Sequence, residues 1–374
     1  MQLPADGEFE VRFTADGKVP GWYVATTELA APTVSADNGR VAFTAVSIDQ
    51  SVARQLYTVP AGASPYERIS GPFASNAEGV ANDAPFAGIF RERPPYQEVV
   101  PGTLVYIADQ DTPGRKELYL VDLADPGNPV KLSGAEVEAL SGQVESFRVS
   151  PADPTLIVYY IIASAGDALY LVDTDAPGDP VRIAEPGDYV NYDGDQRAFR
   201  LVAGGTAVVY QANSAVSNAI DDGQLFLVEL DNPGVATRLN GPIDEGAGEQ
   251  IRRFDRAGAV SPDGSLVAYS ARLVDDPDTA ENEFDRGALL LVDVNDPGNP
   301  VRIEDDINDS AAGEIAFSPD GAKLVYVRER FDGADDGPLW FADISDPGNP
   351  VPGGELDSFV DSDGWWISPG ASTW

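Results

Sequence analysis

The chain has 374 residues with 24 basic and 62 acidic side chains, a formal net charge of −38, and no histidine or cysteine. Those absences exclude Ser-His-Asp and Cys-His nucleophile activation, disulfides, and metal sites built on imidazole or thiolate. The acidic balance excludes the basic footprint of a nucleic-acid binder and argues against anionic membrane surfaces, while 43% hydrophobic residues suffice for a sizeable core.

Near the start, Glu10 to Lys18 reads as a strand ending in an Asp-Gly turn, with residues 20–25 as the strand that returns from it. Val34-Ser-Ala-Asp-Asn-Gly39 followed by Val41-Ala-Phe43 is a hairpin, and the next strand begins at Leu56. The second module is irregular: Phe86 to Phe90 is expected as its inner strand and Thr103 to Ile107 as the next. Leu118 to Leu123 alternates apolar and polar residues and is a strand. Asp125-Pro126-Gly127-Asn128 then predicts a type II turn, because proline sets φ at the first central position and glycine accepts positive φ at the second. Val130 to Leu132 returns as the partner strand, and Ala135 to Leu140 reads as a short helical turn. Val149-Ser-Pro-Ala-Asp-Pro154 before Ile157-Val-Tyr-Tyr160, Ser261-Pro-Asp-Gly264 before Leu266-Val-Ala-Tyr269, and Ser318-Pro-Asp-Gly321 before Lys323-Leu-Val-Tyr-Val327 are further hairpins. At the far end, Trp365 to Gly370 resembles an inner strand and its turn.

One phrase recurs through this series. Leu118 to Val130 returns as Leu169 to Val181, Leu289 to Val301 and Leu339 to Val351, with a looser copy at Leu225 to Leu239. A period of roughly fifty residues means a modular array. Two hairpins in series make a four-stranded antiparallel unit, and such units packed around an axis make a β-propeller. Ser-Pro-Asp-Gly, a Leu-Val-Tyr strand, Leu-Tyr-Leu-Val-Asp and a Pro-Gly turn together resemble the TolB-type, WD-like propeller repeat over nearly the whole chain. The departure is in the last turn, where Asp-Pro-Gly-Asn-Pro replaces the family's usual Asp-Gly.

The expected architecture is therefore all-β, one domain over residues 1–374. Six modules have third strands beginning at Leu56, Leu118, Leu169, Leu225, Leu289 and Leu339. A seventh blade is expected to close the ring from both termini, with six blades as the alternative. Met1-Gln-Leu-Pro has neither the basic nor the apolar region of a signal peptide. The family resemblance implies an exported protein, periplasmic or extracellular, from which such a leader has been removed. No apolar run approaches the roughly twenty residues of a spanning helix.

Two sets of residues are candidates for a site. Arg252, Arg253 and Arg256 precede the inner strand of one blade, and Arg148, Arg197 and Arg200 take similar places in the two before it. Loops entering inner strands converge at a channel mouth, where guanidinium groups would hold an acidic partner segment; the competing reading pairs them with neighbouring aspartates. Asp275, Asp276 and Asp278 open the longest acidic insertion and are the first choice for calcium, against a reading as solvated loop. Trp22, Trp365, Trp366 and Trp374 are expected to pack the closure seam, and the insertion Pro85 to Pro101 is a second contact surface. No catalytic motif is present. The resemblance implies a non-enzymatic scaffold that binds a protein partner. The alternatives are a carboxylate-based polysaccharide hydrolase or lyase, and a structural assembly protein forming homo-oligomers through its terminal strands.

Overall fold

The computed structural model describes residues 22–24, 33–34, 39–47, 55–60, 67–70, 79–80, 96–163, 167–183, 199–213, 223–241, 249–251, 258–273, 286–308, 315–327 and 339–354. Two compact units are distinguished, Met1–Glu145 with Val172–Pro180 and Ser362–Trp374, and Ser146–Leu171 with Val181–Asp361. Among the described residues the structure is almost wholly β.

The first sheet contains β1 (Trp22–Val24), β2 (Thr33–Val34), β3 (Arg40–Ser47), β4 (Gln55–Pro60) and β5 (Glu67–Arg68). The second is β6 (Tyr96–Val100), β7 (Thr103–Thr112), β8 (Arg115–Asp122) and β9 (Val130–Lys131), after which comes the four-residue helix α1 (Glu136–Ala139). The third is β10 (Gly142–Val149), β11 (Leu156–Ala163), β12 (Ala168–Asp173) and β13 (Val181–Arg182). The fourth is β14 (Phe199–Val202), β15 (Ala207–Asn213), β16 (Gly223–Glu229) and β17 (Ala236–Arg238). After β18 (Glu249–Ile251) the fifth follows as β19 (Ala259–Val260), β20 (Leu266–Leu273), β21 (Arg286–Asp293) and β22 (Val301–Asn308). The sixth is β23 (Ala316–Phe317), β24 (Lys323–Val327), β25 (Leu339–Asp343) and β26 (Asp346–Gly354). The described residues thus hold six four-stranded antiparallel modules, the fourth and fifth joined into one nine-stranded sheet through β18.

Three expectations are corrected. Residues 20–25 do not supply the last strand of a closing blade, because Trp22–Val24 pairs with Ser47–Ala45 of β3 and continues the line begun by β2. The inner strand of the second module is Tyr96–Val100, not 86–90, a stretch that lies outside the described residues. Pro101-Gly102 closes that hairpin with Gly102 at φ +83, a conformation glycine adopts without a Cβ clash. The type II turn is found only in part: Gly178 and Gly298 have φ of +80 and +85, but Gly127 has no positive φ. At Asp125 to Asn128 the chain instead closes with Asn128 N–H on Asp125 O at 3.2 Å, and Asn128 Nδ2 donates to the Asp125 carboxylate at 2.9 Å.

Within each unit successive sheets share their cores. In one unit Ala42 and Leu56 of the first sheet pack with Tyr96, Tyr106 and Tyr119 of the second. In the other, Tyr160 and Leu169 pack with Tyr210 and Val228, Val209 and Leu227 with Tyr269 and Val292, and Ala268 and Leu291 with Leu324 and Tyr326. Across each sheet a row of three positions recurs: a ring on the second strand, usually a ring on the third, and usually a cation on the outermost. Tyr106, Tyr119 and Lys131 are in register, as are Tyr210, Phe226 and Arg238. Tyr159 stacks on Tyr170 at 5.7 Å between centroids, and the Arg182 guanidinium lies 5.7 Å from the Tyr170 centroid. In the fifth sheet Leu290 replaces the second ring, and in the sixth Pro352 replaces the cation. The physical reason is position: a long cationic stem covers the rim of an apolar face while its head reaches water.

Candidate binding face

Antiparallel order gives each sheet two ends. The connections between strands one and two, and between three and four, lie at one end. The connection between two and three, and the link to the next sheet, lie at the other. The first end is built from the repeated turns and is nearly uniform. There Asp122, Asp173, Asp293 and Asp343 each accept a backbone N–H two residues on, at 2.8–2.9 Å. Asp263 does the same for Ser265 at 3.0 Å and also accepts Ser261 Oγ at 2.6 Å. Hydrogen bonds from Ser261 and Ser265 hold the Asp263 carboxyl below the usual carboxylate range, and those from Ser318 and Ala322 do the same for Asp320.

The other end differs from sheet to sheet. In the second sheet it carries the best-defined polar constellation. The Glu117 side chain is 2% exposed, and its Oε2 takes Lys131 Nζ at 3.1 Å and the Tyr119 hydroxyl at 3.2 Å. Lys131 also reaches Asp111 Oδ2 at 3.2 Å, and Arg115 Nε lies 3.7 Å from Glu117 Oε1. Burial alone would lower the Lys131 pKa, but hydrogen bonds and charge from Glu117 and Asp111 outweigh it and the net shift is upward. Burial, then the charges of Glu117 and Asp111, push the Tyr119 hydroxyl far above its ordinary value, so it stays a donor. Asp109 is fully buried and clasps the hairpin, its two oxygens accepting Gly79 N–H at 2.7 Å and Gly114 N–H at 2.8 Å. The equivalent end of the third sheet has a different pair: the Tyr160 hydroxyl donates to Asp167 Oδ2 at 2.5 Å, and burial raises the Asp167 pKa despite that bond.

The loop end also shows a split innermost strand. β18 pairs with Leu273 to Ala271, beyond the two residues that β19 pairs, so the line facing β20 is shared by two separate segments. Ile251 also pairs with Gly223, the first residue of β16. β1 and β2 share β3 in the same way, and Val80 bridges Ala108 beyond β6.

Of the sequence-predicted site residues, Arg197, Arg252, Arg253, Arg256, Asp275, Asp276 and Asp278 lie outside the described residues, as do Trp365, Trp366 and Trp374. Arg148 does not precede an inner strand: it lies inside β10, one residue from its end, because that strand starts at Gly142 directly after α1. Arg200 is the second residue of β14, and its Nη1 donates to the Phe199 carbonyl at 3.1 Å. Sequence reasoning misses the Glu117 constellation. Its signal is period-two register, since Glu117 shares a strand face with Tyr119 and Val121, both buried. Among the described residues no group of three or more acidic side chains is placed to hold a metal ion, and no helix is long and apolar enough to cross a membrane.

No family model and no curated protein matches the chain. Solved structures do. Dipeptidyl peptidase 4 of Porphyromonas gingivalis aligns over 86% of this chain with a TM-score of 0.54 at 14% identity, and the chain spans 45% of that protein's length. The β-propeller domain of the Trilobed protease from Pyrococcus furiosus aligns over 88% of this chain and 85% of its own, with a TM-score of 0.39 at 10% identity. A putative TolB from Agrobacterium tumefaciens aligns over 78% and 86%, with a TM-score of 0.34 at 18% identity. The first likeness is one of fold alone. With the repeated four-stranded antiparallel sheet, it defines the class: a mostly-β protein of propeller type.

Proposed function

We propose that the chain is a non-enzymatic binding scaffold of an exported compartment, a single propeller domain that engages a protein partner through the loop end of its sheets. The observation that carries this reading is the asymmetry between the two ends. One is spent on repeated turns held by their own aspartates, while the other has a different set of side chains on each sheet. Rigid sheets presenting varied loops are the usual basis of recognition. The lack of histidine and cysteine leaves little of the common catalytic repertoire.

Arg252, Arg253 and Arg256 belong to this proposal as partner-binding residues, with Arg148, Arg197 and Arg200 as supporting cations. The first three fall in the segment between β18 and β19, the two pieces of a split innermost strand. Blade number is proposed as seven, closed by terminal segments other than Trp22–Val24, against six for the described sheets alone; projection averages from electron microscopy count them directly. Calcium at Asp275, Asp276 and Asp278 is proposed too, and calorimetric titration of the triple Asp→Asn variant beside wild type tests it.

The test of function is affinity capture from envelope and secreted fractions of the source organism, with wild type beside R252E/R253E. A protein retained only by wild type supports the scaffold and its site. Equal capture by both discards the arginines, and no specific capture discards the scaffold.

A further inference from the structure

The turns between first and second strands do more than reverse the chain. In the third to sixth sheets they begin at Ser150, Val202, Ser261 and Ser318. From the fourth sheet on, the fourth residue of each turn is a glycine that meets the second residue of the turn before it. A Cβ built on Gly205 would sit 2.4 Å from Pro151 Cδ and 2.6 Å from its Cγ, and Ser150 Oγ donates to Gly205 O at 2.7 Å. A Cβ on Gly264 would sit 2.6 Å from Ala203 N and 2.8 Å from Gly204 N, and Ala203 N–H donates to Gly264 O at 2.7 Å. A Cβ on Gly321 would sit 3.6 Å from Pro262 Cδ, an ordinary packing distance. All three contacts lie inside one compact unit.

The Ser-Pro-Asp-Gly phrase therefore carries a knob and a socket: its proline faces the next sheet and its glycine receives the previous one. The third sheet, where the run begins, has Ser150-Pro-Ala-Asp-Pro154, with the proline and no glycine. In the fourth the knob is Ala203, held at φ +51, a conformation uncommon for a residue with a Cβ. Proline could not replace it, because its ring fixes φ near about −65° and removes the N–H that Gly264 O receives. Apolar cores are non-directional, whereas a hydrogen bond beside a socket with no room for a methyl has one geometry. We propose that these turns are joints that fix the spacing of the third, fourth and fifth sheets, so that their loop ends are presented as one rigid face. The sixth is joined by packing alone. This deepens the loop-end reading proposed above, but its test uses no partner, so either can fail alone.

The chain has no cysteine, so a pair of spin labels can be placed without removing native thiols. Ala163→Cys and Gln224→Cys label the loop ends of the third and fourth sheets in the full chain. One narrow distance is expected. Gly205→Ala should broaden it, and adding Pro151→Ala, which removes the ring atoms nearest the new methyl, should narrow it again. Ser150→Ala removes the hydrogen bond without adding bulk and should also broaden it. Gly204→Ala, at φ +66 with nothing within 4 Å of its Cβ, has a backbone penalty without the clash and should leave it narrow. Thermal midpoints should follow, with Gly205→Ala and Gly264→Ala about 1–4 °C below Gly204→Ala and Gly321→Ala. A distance that stays narrow in Ser150→Ala, or that Gly204→Ala broadens as much as Gly205→Ala, overturns the joint. A broad distance in the labelled chain without these changes overturns the rigid face.

Discussion

Removing the Glu117 carboxylate separates the value of its charge from the value of its oxygens. In Glu117→Ala the buried Tyr119 side chain loses the acceptor of its hydroxyl. An unsatisfied buried donor costs about 1–3 kcal/mol. Lys131 keeps Asp111 at 3.2 Å, and both reach solvent, so its loss is worth only about 0.5 kcal/mol. With the small void left behind, the expected destabilisation is about 2–4 kcal/mol. For 374 residues at about 2.1 cal/mol/K each, that is a fall in Tm of roughly 3–5 °C. Glu117→Gln keeps an acceptor for Tyr119 and should cost only about 1 kcal/mol. The discriminating measurement is a double-mutant cycle with Tyr119→Phe, read by thermal denaturation. If the hydroxyl is the main dependent, Glu117→Ala should cost about 1–2 kcal/mol less when Tyr119→Phe is already in place. Equal costs in the two backgrounds would refute the reasoning.

Acid titration of stability has a defined sign. Asp263, Asp320 and Asp343 have carboxyls held below their ordinary range, chiefly by serine hydroxyls. They stabilise the fold above the unfolded carboxylate pKa, and that contribution is lost as pH falls through their folded values. The triple Asp→Asn variant should therefore show a shallower fall of Tm on the acid side than wild type. Asp167 has the opposite shift, so its protonation favours the folded state. Tyr160→Phe removes a bond that opposes that shift and should raise the Asp167 pKa further in an NMR titration. Ser133→Ala leaves the buried Leu118 N–H without its side-chain acceptor and should lower stability by about 1–3 kcal/mol, read as a lower denaturation midpoint.

The modules are legible in the sequence because strand alternation and turn chemistry are local, and six copies reinforce one another. The third strands lie where Leu118, Leu169, Leu225, Leu289 and Leu339 place them. The irregular second module misleads because Phe86 to Phe90 and Tyr96 to Val100 are both apolar enough to be strands, and only pairing with β7 selects the latter. Pro20 to Ala25 points to the wrong sheet for a similar reason: a three-residue strand has no register of its own until β3 supplies one. The type II turn fails at Gly127 and succeeds at Gly298, where a neighbouring sheet's carbonyl receives the glycine N–H. Turn type here is decided by a tertiary contact that composition does not encode. The Glu117 cluster escapes a strand-by-strand reading because its members come from β7, β8 and β9, although the period-two register marks Glu117 itself as inward.

Surface protection also bears on where a partner can bind. The outermost strand of a sheet offers unpaired backbone groups to any extended chain. Here each described outer edge is blunted. β5, β9 and β13 are two residues long and β17 is three. β22 pairs with β21 through two register shifts, which twist and interrupt its edge. β26 carries Pro347, Pro350 and Pro352, which cannot donate. Strand addition at these edges, by another copy or by a partner's segment, is disfavoured by three separate devices. At the uniform end, the turns of the second, third, fifth and sixth sheets are engaged by their own aspartates. The loop end is where the side chains differ from sheet to sheet.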